Sequence, residues 1–403
     1  MRRKPRLYIA DERSIKTGEA TDIYFIRTKT ILEKTGASST RVAAEIHSYG
    51  FPNGFEWAVF TGLEEAVYLL EGQPVDFYAM PEGTFFRAME PVARIEGGYG
   101  DFGVYEPAIL GVLRHSTSVS TKAARVKLAA DGKPVLFFGI RCVHPTISPM
   151  VDRAAYVGGC DAVSGVAGAV MLEMEPTGTM PHALMLVVDD EKKAWKLFDE
   201  IMPDNVPRIA LVDTFYDERV EALEAAETLG KKLYGVRLDT PSSRRGNIRK
   251  IVQEVRWTLD IHGHNHVKIF VSGGLDESNI RELVDLVDGF GVGTSIAFPP
   301  SIDLALDIIE KDGKPLSKRG KLPGRKQVYR CENLHDTVVP WGKKLDRCSV
   351  CGGSVEPMLK QILAKGELVS DLPDAKKIRE YVIGQLEELA SADVSKWGPI
   401  FSV

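Results

Sequence analysis

Residues 267–295 read VKIFVSGGLDESNIRELVDLVDGFGVGTS, and this stretch predicts a strand, a glycine turn, a helix and a second strand. Its apolar runs, 267–271 and 289–293, are short enough for buried strands. Between them Asp276 is placed to cap a helix. The apolar residues of that helix recur at helical spacing: Ile280, Leu283, Val284 and Val287. A β–α–β unit with apolar strands is typical of a parallel sheet covered by helices.

The same alternation extends toward the N-terminus through three more apolar runs, VLFFGIR (135–141), IALVD (209–213) and LYGVRLD (233–239). Asp217 and Gly230 are suited to begin and end a helix between two of them. Polar residues follow the runs at their carboxyl ends: Arg141, Asp213, Asp239 and Ser272-Gly273-Gly274. Strand ends that supply functional groups to one face are typical of barrels, so we expect an α/β fold with an irregular TIM-like (β/α) barrel rather than an open sheet. The alternative explanation is that charged residues simply occupy exposed strand ends.

Changes in composition and hydrophobic pattern along the 403 residues predict three regions. Residues 1–115 mix short apolar runs with Gly and Pro turns, which indicates an N-terminal α+β domain. Residues 116–298 form the α/β barrel domain. Residues 299–403 begin with Pro299-Pro300, continue as a basic segment and end in a helix from Asp374 to about Ala390, and we expect them to form a small C-terminal zinc-binding subdomain.

Composition excludes several classes of protein. The chain is 44% hydrophobic and 27% charged with a net charge of -5, which is ordinary for a globular protein and argues against a general nucleic-acid coat. No run of 18 apolar residues is long enough for a membrane span, and the basic segment Met1 to Pro5 precedes no apolar signal core. We therefore expect a cytoplasmic protein. Five cysteines make no disulfide framework.

Three of the cysteines lie close together near the C-terminus. Cys331-x3-His335 and Cys348-x2-Cys351 have the spacing of a four-ligand zinc site. Four protein ligands leave no open coordination position, so we expect structural zinc, with coincidental free thiols as the alternative. The isolated Cys142 and Cys160 follow apolar runs and are predicted as core residues.

Two glycine turns late in the alternating region predict an anion site. Ser272, Gly273 and Gly274 follow one strand, and Gly293 and Thr294 follow the next. Glycine lets backbone N–H groups approach an anion, and many barrels bind phosphate after their last two strands. The alternative is a pair of ordinary strand-to-helix turns.

Charged residues at the preceding strand ends predict the rest of a polar pocket. Asp213 and Asp239 could bind ribose hydroxyls, hold Mg²⁺ or stabilise positive charge, and Arg237 could bind a carboxylate or phosphate. An Arg–Asp structural pair is the alternative. His182 follows Gly178-Thr179-Met180-Pro181, where phosphate contact is possible, although a single histidine often has only a structural role.

Together these segments resemble the nicotinate phosphoribosyltransferases, type II phosphoribosyltransferases, in an archaeal-type branch. The segments that carry the resemblance stand in the family's order: TDIY (21–24), FGIR (138–141), GGCDAVS (158–164), GTMPH (178–182) and the glycine turns. FIR (25–27) departs from the polar sequence usual after the first motif.

The resemblance implies roles for individual residues. Tyr24 would stack on a pyridine ring across a dimer interface, Phe138 and Arg141 would enclose the ring, and His182 would be phosphorylated by ATP. With Asp213 and Asp239 as the other catalytic residues, the implied substrate-binding residues are Asp22, Tyr24, Phe138, Arg141, Asp161, Thr179, Arg237, Ser272, Gly273, Gly274, Gly293 and Thr294.

The implied reaction transfers phosphoribose from 5-phosphoribosyl-1-pyrophosphate to nicotinate, giving nicotinate mononucleotide and pyrophosphate in NAD salvage, with Mg²⁺ and with ATP as co-substrate. The implied assembly is a homodimer or a ring of dimers. Quinolinate and nicotinamide phosphoribosyltransferases are the nearest alternatives. An aldolase-like barrel would need a lysine at a strand end, and none of the five runs has one. A protein that binds RNA through the basic segment 311–326 is the other alternative, and the negative net charge of the chain argues against it.

Overall fold

A computed structural model describes residues 7–391 and 399–402, so the basic segment Met1 to Pro5 lies outside the described residues. The chain divides into two compact units. The first contains residues 1–121 and 300–403, and the second contains residues 122–299. The predicted first and third regions thus share one unit, and the predicted barrel region corresponds closely to the other.

The first unit is built on antiparallel sheets. Its strands are β1 (Arg41–His47), β2 (Ala58–Val59), β3 (Asp76–Ala79), β4 (Phe85–Phe86), β5 (Pro91–Gly98), β12 (Ala305–Lys311), β13 (Lys314–Pro315), β14 (Lys326–Cys331), β15 (Asp336–Pro340), β16 (Val355–Pro357), β17 (Lys360–Ala364), β18 (Glu367–Leu368) and β19 (Ile400–Phe401). Its helices are α1 (Glu12–Lys16), α2 (Ile23–Thr35), α3 (Leu63–Leu70), α4 (Tyr99–Phe102), the first part of α5 (Glu106–Ala129) and α15 (Ala375–Ser391).

A seven-stranded sheet of order β13-β12-β1-β5-β3-β17-β18 explains why the C-terminal region belongs to this unit. β12 pairs with β1 and β17 pairs with β3, both antiparallel, so strands from the end of the chain complete a sheet begun near its start. Ile46, Phe60 and Phe77 are fully buried in the core of this unit. A separate four-stranded sheet has the order β16-β14-β15-β19.

The second unit alternates strands and helices. Its strands are β6 (Val135–Phe137), β7 (Ala162–Val163), β8 (Ile209–Leu211), β9 (Gly235–Leu238), β10 (Lys268–Val271) and β11 (Gly289–Val292). Its helices are the last turns of α5, α6 (Ser148–Val157), α7 (Val166–Met171), α8 (His182–Val188), α9 (Glu191–Ile201), α10 (Glu218–Leu229), α11 (Ser242–Arg245), α12 (Ile248–Ile261), α13 (Glu277–Leu283) and α14 (Thr294–Ala297). Five of these strands were predicted, and the two-residue β7 was not.

The six strands form one parallel sheet of order β7-β6-β11-β10-β9-β8. Because the last strand of this unit, β11, pairs with its first, β6, the sheet curls as a barrel does. β7 and β8 form no pair within the described residues, so in place of the irregular TIM-like barrel that the sequence predicted the strands form a curled, open sheet. β7 contains only two residues, both of which pair with β6.

The predicted helix ends are confirmed at two helices. The Asp217 side chain accepts a hydrogen bond from the Arg219 amide at the start of α10, and Gly230 follows its last residue. The Asp276 side chain accepts from the amides of Ser278 and Asn279 at the start of α13. Among the described residues, no helix has the length and apolar character needed to cross a membrane.

Candidate active site

A cavity of about 510 Å³ lies at the carboxyl ends of the parallel strands in the second unit. This volume is in the range of small-molecule sites. Eleven of the predicted site residues line it: Phe138, Arg141, Thr179, His182, Arg237, Asp239, Ser272, Gly273, Gly274, Gly293 and Thr294. Because parallel strands present all their carboxyl ends at one edge, residues distant in sequence converge there.

Phe138 forms one wall of this cavity, and two glycines make room for its ring and its backbone. A Cβ on Gly291 would lie 2.5 Å from the Cε2 atom of Phe138, and a Cβ on Gly293 would lie 3.0 Å from the Phe138 carbonyl oxygen. The Phe138 amide donates to the Val292 carbonyl at 2.8 Å, which continues the pairing of β6 and β11 beyond the strands. A flat aromatic wall at this position suits a flat ligand.

The two glycine turns adjoin each other at the cavity. Gly273 and Gly274 have φ values of +85° and +64°, which residues with a side chain rarely adopt, so these positions require glycine. The Ser295 hydroxyl, at the start of α14, donates to the Leu275 carbonyl at 2.7 Å and thereby joins the two turns. Both turns line the cavity, so their backbone lies close to any anion that binds there.

Arg237 and Asp239 form a network with Ser272 at the floor of the cavity. One Nη atom of Arg237 donates to the Ser272 hydroxyl at 3.0 Å and lies 3.3 Å from Asp239 Oδ2, and the other donates to the Met180 carbonyl at 2.9 Å. The Ser272 hydroxyl donates to Asp239 Oδ1 at 2.7 Å. The predicted Arg–Asp pair therefore exists, and its members also line the cavity.

His182 lies between two carboxylates. Its Nε2 atom is 3.6 Å from Asp213 Oδ1 and 3.8 Å from Asp239 Oδ2, and its Nδ1 atom is 3.2 Å from the Thr214 hydroxyl. The histidine side chain is 36% exposed, whereas that of Asp213 is only 2% exposed. The imidazole can therefore be reached from the cavity while the carboxylate behind it cannot.

Burial gives Asp213 a distinct electrostatic character. Burial raises the pKa of Asp213. The Coulombic interaction with His182 and the hydrogen bond from the Asp239 amide lower it, and the Asp239 carboxylate raises it further. The Asp239 amide donates to Asp213 Oδ2 at 2.7 Å, whereas Oδ1 has no hydrogen-bond partner within the described residues. A carboxylate oxygen without a partner suits a hard cation such as Mg²⁺ or a protonated imidazole.

Three predicted binding residues are not part of this cavity. Asp161 Oδ2 accepts hydrogen bonds from the Val135 amide and the Lys127 ammonium, both at 2.8 Å, which places it at the opposite end of β6 from the cavity. The sequence motif could not reveal this, because it does not specify which end of a strand a residue faces. Asp22 and Tyr24 belong to the first unit, where Asp22 precedes α2 and the Tyr24 ring is exposed.

Sequence reasoning missed several lining residues. Cys142 was predicted as core, yet it lines the cavity with its Sγ atom 3.4 Å from the Thr294 hydroxyl, whereas Cys160 is fully buried as predicted. Ser164 and Met180 also line the cavity, inside two of the quoted motifs. Because Ser164 and Met180 lie inside motifs that carry the family resemblance, those motifs could have predicted them.

The first unit holds the predicted cysteine and histidine cluster. The candidate ligand atoms of Cys331, His335, Cys348 and Cys351 all lie within 4.8 Å of one another. Cys331 Sγ is 3.5 Å from His335 Nδ1 and 3.6 Å from Cys351 Sγ. Around tetrahedral zinc, with bonds of about 2.3 Å to sulfur and about 2.0 Å to nitrogen, sulfur pairs lie about 3.8 Å apart and sulfur–nitrogen pairs about 3.5 Å apart. The donor set and its spacing fit zinc.

Comparisons with known proteins match most of the chain. Residues 22–117 match the N-terminal domain of quinolinate phosphoribosyl transferase, and residues 119–307 match its C-terminal domain. A nicotinate phosphoribosyltransferase of Mycobacterium tuberculosis is 30% identical over 321 residues, which cover 76% of this chain and 65% of that relative. One of Bacillus subtilis is 28% identical over 361 residues, which cover 78% of this chain and 73% of that relative.

Solved structures are similar over nearly the whole chain. A nicotinate-nucleotide pyrophosphorylase from Pyrococcus furiosus is 58% identical with a TM-score of 0.95, and the match covers 96% of this chain and 99% of that one. Human nicotinic acid phosphoribosyltransferase shares the fold, with a TM-score of 0.77 at 18% identity over 95% of this chain and 97% of that one.

Proposed function

This chain belongs to the quinolinate phosphoribosyl transferase family of type II phosphoribosyltransferases, and we propose on that premise that it is a nicotinate phosphoribosyltransferase of NAD salvage. It would transfer phosphoribose from 5-phosphoribosyl-1-pyrophosphate to nicotinate and release pyrophosphate. The observation that carries the proposal is one cavity that is lined by an aromatic wall, two glycine turns and the Arg237–Asp239 pair. The names of the relatives from Mycobacterium tuberculosis and Bacillus subtilis support nicotinate as the acceptor.

In the proposed mechanism the residues of this chain orient two substrates and stabilise charge. The turns at Gly273–Gly274 and Gly293–Thr294 would bind the 5-phosphate, and Phe138 would hold the pyridine ring with its nitrogen toward ribose C1. Arg237 would bind the carboxylate of nicotinate. As the bond from C1 to pyrophosphate breaks, Asp239 would stabilise the positive charge that develops on the ribose. Bound Mg²⁺, for which Asp239 is the carboxylate that lines the cavity, would neutralise charge on the pyrophosphate.

His182 is the proposed link to ATP. Its imidazole is partly exposed to the cavity and adjoins both carboxylates, so a phosphoryl group on it would lie beside the reacting ribose. In this proposal ATP phosphorylates His182 during turnover. With γ-labelled ATP, label should appear on the wild-type chain and be lost in His182→Ala, and label retained by the variant would remove His182 from this role.

Zinc and a second subunit complete the proposal. Cys331, His335, Cys348 and Cys351 would hold structural zinc. Assembly into a homodimer or a ring of dimers is supported by exposed apolar side chains on α7 and α8: Val166, Val170, Met171, Leu186 and Val187. Tyr24, exposed in the first unit, would then act on the pyridine ring of a neighbouring subunit. Sedimentation that shows a fully active monomer would contradict the dimer.

A quinolinate phosphoribosyltransferase is the second candidate, because the two matching family models carry that description. The deciding experiment incubates the chain with 5-phosphoribosyl-1-pyrophosphate and either nicotinate, quinolinate or nicotinamide, with and without ATP, and identifies products by mass spectrometry. We expect nicotinate mononucleotide and pyrophosphate from nicotinate, faster with ATP. Turnover of quinolinate or nicotinamide alone would reject the proposal in favour of that substrate.

The role of Asp239 is tested in the same assay. Asp239→Asn should lower kcat about 100-fold, because the amide cannot stabilise the positive charge of the transition state. Asp285→Asn is the matched control, since Asp285 is exposed and pairs only with Arg249 in the surroundings that the structure describes. An undiminished rate in Asp239→Asn would reject the electrostatic role.

A further inference from the structure

The loop that follows β8, residues 214–216, is held by one buried carboxylate. Glu221 Oε1 accepts hydrogen bonds from the amides of Phe215 at 2.6 Å and Tyr216 at 2.7 Å, and Oε2 accepts from the Thr214 amide at 3.0 Å. Glu221 is fully buried, although Phe215 and Tyr216 are exposed. Burial raises the pKa of Glu221, and the three amides oppose this rise. Burying a carboxylate costs free energy unless hydrogen bonds compensate for the lost water, and the three amides supply those hydrogen bonds to Glu221.

The same loop determines what His182 contacts. The Thr214 hydroxyl is 3.2 Å from His182 Nδ1, on the side of the ring opposite the atom that faces the carboxylates. With Nδ1 engaged, the ring is oriented so that Nε2 points between Asp213 and Asp239. A shift of the Thr214 backbone would therefore turn the imidazole.

Helix α10 carries the side chain that holds this loop. Glu221 lies in the first turns of α10, which Asp217 caps. From the same helix Glu218 Oε1 accepts a hydrogen bond from the Thr240 hydroxyl at 2.5 Å, and that hydroxyl is also 3.2 Å from Asp213 Oδ2. One helix thus organises both the loop that contacts the histidine and the carboxylate behind it.

We infer that Glu221 is a positioning residue that orients the imidazole of His182 by holding Thr214. The inference rests on the proposed function of His182. Glu221 lies behind the loop and does not line the cavity, so its hydrogen-bonded link to the imidazole runs through Thr214. Glu221 is thus a buried residue behind the proposed site, and it belongs to none of the sequence motifs.

Two variants of the full chain test the contact of Glu221 with Thr214 and the contact of Thr214 with His182 separately. Glu221→Gln replaces Oε2 with an amide nitrogen that cannot accept from Thr214, while the remaining oxygen can still accept from Phe215 and Tyr216. Thr214→Val keeps the backbone contacts and removes only the hydroxyl. Glu224→Gln is the matched control, because Glu224 lies one turn farther along α10 and pairs with Lys192 on the surface.

The first readout is the ATP-stimulated transfer of phosphoribose to nicotinate. We expect Glu221→Gln and Thr214→Val each to lower kcat about tenfold with KM unchanged, and the double variant to be no slower than the slower single variant. Residues that act through one another are non-additive. Losses that multiply in the double variant, or a loss confined to KM, would overturn the inference.

The second readout needs no turnover. In chain labelled with ¹⁵N-histidine, the His182 ring resonances, assigned by their loss in His182→Ala, should shift alike in Glu221→Gln and Thr214→Val and stay in place in Glu224→Gln. Unmoved resonances in Glu221→Gln would overturn the inference. If the wild-type chain transfers no phosphoribose, the proposed function fails, yet this comparison still decides the role of Glu221.

A third measurement uses the wild-type chain and does not depend on a variant that folds. Hydrogen exchange should show protected amides at residues 214–216 although residues 215 and 216 are exposed, because Glu221 accepts from all three. Rapid exchange of these amides would contradict the inference.

Discussion

His47 in the first unit shows how one buried residue links stability to pH. Its side chain is buried on β1 with Nδ1 3.6 Å from Glu45 Oε1 and Nε2 3.9 Å from Asp307 Oδ2. The pKa of His47 is lowered to about 4, mainly by burial, which Asp307 opposes and to which the lysines at 321, 326 and 318 add. The folded chain therefore holds this imidazole neutral at pH values where an unfolded one would be charged.

We predict that this histidine destabilises the fold in acid. Between pH 6.5 and 4 the unfolded chain binds a proton that folded His47 does not, so the free energy of unfolding falls as the pH is lowered through this window. The expected loss is about 2 kcal/mol from pH 7 to pH 4.5. Urea unfolding at both pH values should show it in wild type and not in His47→Gln.

The comparison of wild type with His47→Gln removes the effect of neighbouring groups. Burial also raises the pKa of Glu45, which acts in the opposite direction, but both proteins retain Glu45. His266→Gln, a change at an exposed histidine, is the control. If the free energy of unfolding depended on pH equally in His47→Gln and wild type, His47 would not be the cause of the loss of stability in acid.

Strand β11 has a glycine, Gly291, where it passes the Phe138 ring that forms the aromatic wall of the cavity. A Cβ on Gly291 would lie 2.5 Å from the Phe138 ring and 3.0 Å from the Ser272 Cβ. We predict that Gly291→Ala displaces the ring, lowers the free energy of unfolding by about 1–3 kcal/mol and raises KM for nicotinate. Urea unfolding and steady-state kinetics measure the two effects.

Gly111→Ala provides the matched control for that prediction. A Cβ on Gly111, within α5, has no atom within 4 Å, so this change should stabilise the helix by about 0.5–1 kcal/mol and leave KM unchanged. If Gly291→Ala retained the wild-type KM, Phe138 would not be the wall against which nicotinate binds.

For the molecule as a whole, the predicted zinc should matter to stability rather than to chemistry. Cys331 ends β14, His335 precedes β15, and Cys348 and Cys351 lie between β15 and β16. The candidate cavity, by contrast, is lined only by residues of the second unit. Structural zinc contributes on the order of 10 kcal/mol in small domains. We predict one zinc per chain by mass spectrometry and a thermal transition several degrees lower in Cys348→Ser/Cys351→Ser.

Two comparisons make the zinc prediction decisive. Ser349→Ala, in the same turn but without a ligand atom, should keep both the metal and the transition temperature. Activity of the double cysteine variant at 25 °C, with Mg²⁺ supplied, should stay near that of wild type. Complete loss of activity in a folded double variant would indicate a catalytic metal instead.

The sequence alone determined the features that depend on local spacing. The strand–helix–strand order of residues 267–295, the caps at Asp217 and Asp276 and the grouping of four potential metal ligands were all predicted, because periodicity, capping and short turns act over a few residues. The glycine turns were located for the same reason, since only glycine readily adopts the conformation found at Gly273 and Gly274.

Only the tertiary structure decided which distant residues meet. The sequence did not show that Asp161 faces away from the cavity, that Cys142 faces into it, or that Glu221 holds the loop beside His182. Nor did it show that β12 returns to pair with β1 and that the curled sheet stays open between β7 and β8 in the described chain. The direction of a side chain and the partner of a strand depend on packing between segments far apart in the sequence, and local propensity does not encode that packing.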